Sequence, residues 1–159
     1  PGLQRQFSLE GWADFDNELW QDELARAKHR SQKQRPLAPI IGCEQDATIA
    51  DQARSNIAAA GLDDCISIQT GDFRNFSLPP GPGVVVCNPP YGLRVGDGED
   101  LESLYSDLGT TLKAQASGWD VWVLSGNPGI TGALRMKASR RIPISNGGID
   151  CRWLHYQVR

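Results

Sequence analysis

The chain has 159 residues, of which 40% are hydrophobic and 22% charged, a composition typical of a globular domain with a substantial core. Lys and Arg total 16 against 19 for Asp and Glu, so the net charge of -3 excludes a protein that binds nucleic acid with a uniformly basic surface. No apolar run approaches the roughly 20 residues of a membrane helix, and the first ten residues lack the apolar stretch of a signal peptide. We therefore expect a cytoplasmic protein without a membrane association. The chain begins with Pro1 and its one methionine is Met136, which suggests a fragment of a longer protein.

The four cysteines and two histidines do not suggest a metal site. No two cysteines form the Cys-x-x-Cys pair that is typical of zinc sites. Cys43, Cys65 and Cys87 each lie in or beside an apolar run, so we interpret them as small buried side chains in a reducing compartment. The prediction is that the chain binds no metal.

Residues 1–38 are predicted to form a helical lead-in. Asp16 is a typical N-cap, and apolar residues recur after it at helical spacing, which predicts an amphipathic helix from Asp16 to about Lys33. Pro36 and Pro39 end this helix, because proline cannot continue it.

Residues 39–159 alternate between strand and helix patterns. Strands are predicted over 39–44, 65–69, 83–87 and 119–124, and helices begin at Asp46, Leu101 and after Pro128. The strand over 83–87 is apolar throughout, which predicts burial on both faces. The glycine-rich stretch over 92–100 is predicted to be a loop. Alternating residues over 136–144 and 151–158 predict two final strands, joined by a turn at Asn146-Gly147-Gly148.

This order of elements predicts an α/β fold with a doubly wound, mostly parallel sheet and a C-terminal antiparallel hairpin. Ligands of such sheets bind at the carboxyl ends of the strands. Polar or aromatic residues stand at three of those ends: Glu44, the pair Asp72-Phe73, and the tetrapeptide from Asn88 to Tyr91.

The tetrapeptide Asn88-Pro89-Pro90-Tyr91 suits chemistry on an amino group. Its two prolines fix the backbone and remove two N–H donors, so the remaining polar atoms are acceptors, including the Asn88 side-chain oxygen and the Pro89 carbonyl. Such acceptors stabilise the positive charge that grows on an attacking amine, and Tyr91 offers a flat face for a base. The alternative interpretation is a proline-rich turn that merely ends a strand.

The segment from Asn88 to Arg94, the opening Pro1-Gly2-Leu3 and the closing stretch from Lys137 to Arg152 resemble the bacterial 23S rRNA guanine-N2 methyltransferase family. Members of this Asn-Pro-Pro-Tyr class are also described as N6-adenine DNA methylase-like. The resemblance implies the class I S-adenosylmethionine-dependent methyltransferase fold, S-adenosylmethionine as the cofactor and ribosomal RNA as the partner.

The resemblance also assigns roles to individual residues. Glu44 matches the acid that receives the cofactor ribose hydroxyls, and Gln45 is expected to pack on the adenine. Asp72 matches the acceptor of the adenine amino group, and Phe73 matches the residue that flanks the adenine ring. The stretch from Asn88 to Tyr91 matches the catalytic motif, with Asn88 also expected among the cofactor contacts.

Two of these assignments have structural alternatives. Glu44 is also placed to stand beside the N-terminus of the next helix, which Asp46 would cap. Asp72 with Gly71 is also compatible with a local Asx turn.

The sequence departs from the family pattern at its N-terminal side. The family's first motif, a strand followed by an Asp/Gly-rich loop for the methionine part of the cofactor, has no counterpart before Glu44. We therefore interpret residues 1–159 as a partial methyltransferase catalytic domain that lacks the first strand, and we expect the isolated chain to be inactive. A missing N-terminal segment or a second copy of the chain would complete the sheet.

The predicted activity is methyl transfer from S-adenosylmethionine to an exocyclic amino group, most specifically guanine N2 of 23S ribosomal RNA. The alternatives are an adenine-N6 DNA methyltransferase and a non-catalytic structural fragment. The densest basic run, Arg135, Lys137, Arg140 and Arg141, cannot form one patch on a strand because alternate residues face opposite sides. Two interpretations of this basic run are equally favoured: that it contacts phosphate near the site, or that it is a solvated edge strand.

Overall fold

A computed structural model describes residues 5–33, 38–92 and 100–159. Pro1-Gly2-Leu3, Pro36, Leu93-Arg94 and most of the loop predicted over 92–100 lie outside these ranges. The chain divides between Phe73 and Arg74 into two units. Within the described ranges, no helix has the length and apolar character that crossing a membrane requires.

The first unit opens with a short 3₁₀ turn, Ser8–Gly11, followed by helix α1, Asn17–Lys33. Asp16 caps α1 as predicted, because its Oδ1 accepts a hydrogen bond from the backbone N–H of Leu19 at 3.0 Å. Trp20 on α1 makes edge-to-face contacts with Phe7 and Phe15, with ring centroids 5.5 and 6.2 Å apart.

A parallel strand pair forms the rest of the first unit. Strands β1, Ile40–Glu44, and β2, Ile66–Thr70, are connected by helix α2, Ala47–Ala59. The register pairs Ile40 with Ile66 and Glu44 with Thr70, so both strands end at the same edge. Gly61, two residues after the end of α2, has a φ of 64°, in the left-handed region where glycine commonly follows a helix.

The prediction that Cys43 on β1 is buried was wrong. Cys43 is exposed, and Ile40 on the same strand is 50% exposed. Among the described strands, β1 pairs with β2 alone, so an apolar sequence here does not produce a central buried strand.

Arg54 fastens α2 to β2. Its guanidinium donates hydrogen bonds to the Ile68 carbonyl at 2.9 Å and to Thr70 Oγ1 at 2.6 Å, and it forms an ion pair with Asp51. These bonds fix the carboxyl half of β2, from which the polar residues at the end of that strand extend.

The second unit contains a four-stranded sheet. Its elements are β3, Val84–Cys87; α3, Leu101–Gln115; β4, Asp120–Ser125; α4, Pro128–Thr131; β5, Arg140–Asn146; and β6, Ile149–Gln157. The strand order is β3-β4-β6-β5. The β3–β4 pair is parallel and the β4–β6 and β5–β6 pairs are antiparallel, so the sheet is mixed and ends in the predicted hairpin.

One face of this sheet packs against α3 and the 3₁₀ turn Gly132–Leu134 that follows α4. The buried side chains come from all these elements: Tyr105, Leu112, Val121, Val123, Leu134, Leu154 and Tyr156. Gly109 allows α3 to approach this turn closely, since a Cβ there would overlap the backbone of Leu134.

The prediction that β3 is buried on both faces was wrong, because the sheet face opposite α3 is exposed at this strand. Val84 and Val86, which share a face with Trp122, are 61% and 64% exposed. Their apolar character makes burial favourable, but no described side chain covers them. Pairing with β4 alone leaves β3 as an edge strand of its sheet.

Strand β5 begins later than predicted. Arg135 ends the 3₁₀ turn with φ 50°, and the following residues remain irregular until Arg140. Ala138 in this stretch is buried in the core, so tertiary packing rather than strand pairing sets its conformation.

Candidate functional site

Glu44 ends β1 with one carboxylate oxygen engaged and one open. Its Oε1 accepts a hydrogen bond from the Asp46 backbone N–H at 2.9 Å, while Oε2 has no hydrogen-bond partner among the described residues. Asp46 in turn caps α2 through Thr48 and Ile49, at 2.7 and 3.2 Å. Glu44 therefore does stand beside a helix start, yet it keeps one oxygen available for another donor.

The end of β2 lies against the end of β1. The Gly71 backbone N–H donates to the Glu44 carbonyl at 2.8 Å, and the Cys43 thiol donates to the Gly71 carbonyl at 3.2 Å. Partial burial, and then the negative charges of Asp72 and Glu44, raise the pKa of Cys43. The first unit thus brings both predicted carboxylates close to one thiol.

The two remaining predicted cofactor residues of the first unit differ in accessibility. Phe73 is half-buried directly after Asp72, whereas Gln45 is exposed. Phe73 begins a short 3₁₀ turn, Phe73–Asn75, so its backbone is regular at this point.

The tetrapeptide follows β3 in the second unit, as predicted. Asn88 and Pro90 are exposed, and Pro89 and Tyr91 are half-buried. The Asn88 side chain is therefore accessible to a ligand, while the backbone around it is held by two prolines.

Tyr91 is held in place by residues from the ends of β4 and β5. A Cβ on Gly126 would come within 2.9 Å of the tyrosine ring and 3.3 Å of Cys151 Sγ, so the ring depends on the absence of a side chain there. Asn146 Nδ2 donates a hydrogen bond to the Tyr91 hydroxyl at 3.4 Å. Sequence reasoning missed both residues. The available signal was that Gly126 directly follows the strand paired with β3.

The loop after β4 is fixed by its own hydrogen bonds. Ser125 Oγ bonds the carbonyl and the N–H of Asn127, both at 3.2 Å, and Asn127 Oδ1 accepts from Gly129 N–H at 3.0 Å. This loop therefore provides a firm support for Tyr91.

Uncharged groups lie beneath the tetrapeptide. Burial raises the pKa of Cys87 to about 11 and that of Tyr105 to about 12, although the neighbouring Ser125 hydroxyl lowers the latter. Both groups are neutral at physiological pH. The Tyr105 hydroxyl is fully buried and has no hydrogen-bond partner of standard length among the described residues.

Comparisons with known proteins agree with the fold. A family model described as an RMKL-like methyltransferase domain matches residues 1–155. A Synechocystis protein named "Putative RNA methyltransferase slr0064" is 36% identical over 159 residues, which cover 99% of this chain and 41% of that protein.

Three solved structures match 100% of this chain. A possible methylase from Clostridium difficile 630 is 26% identical with a TM-score of 0.81, and a "predicted N6-adenine-specific DNA methylase" from Listeria monocytogenes str. 4b F2365 is 28% identical with a TM-score of 0.75. SMU.472 complexed with SAH is 24% identical with a TM-score of 0.78. The chain spans between 40% and 42% of these proteins.

These matches confirm the predicted α/β methyltransferase fold, with its mixed sheet of parallel and antiparallel strands. They also confirm the family resemblance of the sequence. With a family model that extends over nearly its whole length, the chain belongs to the family of RMKL-like methyltransferase domains.

Proposed function

We propose that this chain is the catalytic portion of an S-adenosylmethionine-dependent methyltransferase that modifies an exocyclic amino group, most specifically guanine N2 of 23S ribosomal RNA. The observation that carries the proposal is the accessible Asn88 on a stiff, acceptor-rich segment at the end of β3, next to a firmly held Tyr91. Family membership supports the same reaction type.

The first unit contains acceptors and an aromatic ring of the kind that would bind the adenosine part of the cofactor. Glu44 Oε2 is an available acceptor for ribose hydroxyls, and Asp72 lies near it beside Cys43. Phe73 provides an aromatic flank for the adenine ring, and Gln45 is an exposed neighbour. SMU.472, a structural neighbour, is complexed with SAH, which supports this cofactor class.

When bound, the cofactor would supply an electrophilic methyl group whose bond to sulfur breaks as the amine nitrogen attacks, which leaves S-adenosylhomocysteine. The side-chain oxygen of Asn88 and the carbonyl of Pro89 accept the two N–H bonds of the target amine, which directs its lone pair away from them. As the new N–C bond forms, positive charge grows on this nitrogen, and the two fixed acceptors stabilise it. The surplus proton then leaves to solvent, because neither acceptor is a base.

Tyr91 orients the target base by stacking. Its ring has one side against Gly126 and its hydroxyl bonded to Asn146, so little side-chain freedom remains to be lost on binding. A base turned out of its own stack can then lie on the remaining aromatic surface.

RNA is the preferred substrate because the Synechocystis relative is named for RNA methylation. DNA adenine remains the second candidate, since the Listeria structure is described as an N6-adenine DNA methylase. Both bases present an exocyclic amine, so the chemistry of Asn88 and Pro89 suits either.

A base-resolved methylation assay separates these candidates. The full-length protein is incubated with isotope-labelled S-adenosylmethionine and either unmodified 23S rRNA or duplex DNA, and the digested nucleosides are identified by mass spectrometry. We expect labelled N2-methylguanosine from the rRNA and no labelled methyladenine from the DNA. The Asn88→Ala variant is the control for contaminating activity.

Label on DNA adenine alone would replace the proposed substrate with the second candidate. If neither nucleic acid is labelled by a protein that binds the cofactor, the proposed function is wrong.

A further inference from the structure

A cleft of about 260 Å³ lies in the second unit, beside the loop that supports Tyr91. Its walls come from β4, α4 and the C-terminal hairpin, and they include Ser125, Pro128, Thr131, Arg141, Arg152 and Tyr156. We refer to it as the hairpin cleft. An adjoining depression shares Ser125, Pro128 and Arg152 with it and reaches Gly126, which lies against the Tyr91 ring.

Two arginines face this cleft from the same side of the sheet. The register pairs Arg141 with Leu154 and Arg152 with Pro143, which makes the arginines diagonal neighbours on one face. Ser125, the partner of Arg152 on β4, belongs to that face too. Arg140 points to the opposite face of the sheet, because successive residues of a strand alternate between its two faces.

Neither arginine has an ion-pair partner within the described parts of the chain. Arg26, Arg54 and Arg74 instead form ion pairs with carboxylates. The Arg141 charge acts on Tyr156, where it lowers the pKa that burial raises. Asp150 lines only the adjoining depression and forms no ion pair with Arg152. Two like charges without a counter-ion favour an anionic ligand.

We propose that the hairpin cleft binds the phosphodiester backbone of the RNA next to the target nucleotide, with Arg141 and Arg152 contacting its phosphate groups. Arginine suits this role because its planar guanidinium donates two parallel hydrogen bonds to phosphate oxygens. The inference rests on the proposed function, since it assigns the substrate's backbone to a surface continuous with the support of Tyr91.

The test measures RNA affinity separately from methyl transfer. Fluorescence anisotropy of a labelled single-stranded RNA is recorded with the full-length protein between 50 and 200 mM salt, a range over which phosphate contacts weaken strongly. We expect Arg141→Gln and Arg152→Gln each to weaken binding about tenfold and to reduce the slope of log affinity against log salt by about 0.7. Arg140→Gln, on the same strand but the opposite face, is the matched control with unchanged affinity.

Further experiments identify the chemical source of the bound phosphate and show whether each variant is folded. A DNA strand of the same sequence and inorganic phosphate as a competitor distinguish an RNA backbone from general phosphate binding. Arg152→Lys, which preserves the charge, is expected to keep the wild-type salt slope. Unchanged calorimetric binding of S-adenosylhomocysteine shows that each variant is folded.

Wild-type RNA affinity in the Arg141→Gln/Arg152→Gln double variant would overturn the proposal. A loss of affinity for the DNA strand but not for RNA would also overturn it, as would displacement of the RNA by an equal concentration of inorganic phosphate. These outcomes differ from a failure of the proposed function. If the double variant methylates RNA normally, only the proposed role of the hairpin cleft is refuted. If the wild-type protein methylates no RNA, the proposed function is refuted, and the affinity measurements alone test whether the cleft binds RNA.

Discussion

Asn88 combines an exposed side chain with a constrained backbone. Exposure makes its amide oxygen accessible, and the two prolines that follow fix the direction of the chain. An acceptor held in this way needs no reorganisation when charge develops on a bound amine.

We predict that Asn88→Ala in the full-length protein lowers kcat for methyl transfer on the order of 10²–10³, the usual cost of one preorganised polar group. Affinity for S-adenosylhomocysteine, measured by calorimetry, is expected to remain largely unchanged. Asn56→Ala, at an exposed position of α2, is the matched control. Turnover of Asn88→Ala near the wild-type rate would refute the catalytic role.

Glu44 is predicted to act on binding rather than on turnover. Its free Oε2 would accept a charge-assisted hydrogen bond from the cofactor ribose, worth roughly 1.5–3 kcal/mol, so Glu44→Ala should raise the Kd of the cofactor about tenfold or more. Glu44→Gln, which keeps an oxygen acceptor and the shape, should lose less. An unchanged Kd by calorimetry would mean that Glu44 serves only the start of α2.

Tyr105 permits a prediction about pH and stability. Its pKa is raised to about 12, so the folded state retains this proton more tightly than the unfolded state, and the corresponding stability is present at neutral pH and lost as pH rises from about 10 towards 12. Tyr105→Phe removes both the ionisation and an unpaired buried hydroxyl.

We therefore expect Tyr105→Phe to have an equal or higher Tm at pH 7 and a smaller loss of Tm above pH 10. Thermal unfolding followed by circular dichroism measures both. A markedly lower Tm at pH 7 would show that the hydroxyl has a stabilising partner.

At the scale of elements, strand ends carry the chemistry, and neighbouring ends support one another. The parallel pairing of β3 with β4 brings Gly126 next to the tetrapeptide, and the β5–β6 hairpin contributes Asn146. Tyr91 is thus held by two segments that are distant from it in sequence.

Gly126→Ala tests this support. The new Cβ would come within 2.9 Å of the Tyr91 ring and displace it, so we predict a loss of kcat of about 10²-fold, as a misplacement of about 1 Å can produce. Gly11→Ala, where a Cβ meets nothing within 4 Å, is the matched control. Wild-type kcat in Gly126→Ala would show that the position of the ring does not limit catalysis.

At the scale of the whole molecule, β1 and β3 are two of the described strands that lie at an open edge of a sheet. Strand β1 pairs with β2 alone and β3 pairs with β4 alone, and Ile40, Val84 and Val86 are largely exposed on these strands. Open apolar edges favour association with further chain. The Synechocystis relative and the Clostridium difficile methylase are each more than twice as long as this chain.

We predict that the isolated 159-residue chain shows no measurable binding of S-adenosylmethionine by calorimetry, whereas the full-length protein binds it. The resemblance assigns the methionine part of the cofactor to a strand and glycine-rich loop, and the described residues before β1 contain only α1 and a 3₁₀ turn. Micromolar binding by the monomeric chain would contradict this expectation.

Much of the fold and of the site followed from the sequence, because the signals are local. Asp46 and the helix after it, the order of strands and helices, and the position of Asn88 at a strand end depend on capping, periodicity and proline content over a few residues. The burial of individual side chains could not be predicted in this way. Val86 lies in an apolar sequence typical of a buried strand, yet it is 64% exposed. Whether a strand is buried depends on which other segments pack against it, and the residues of the strand itself do not specify those segments. The hydrogen bond between Asn146 and Tyr91 could not be predicted from the sequence either. These residues are 55 positions apart, and only the register of the sheet and hairpin brings them together.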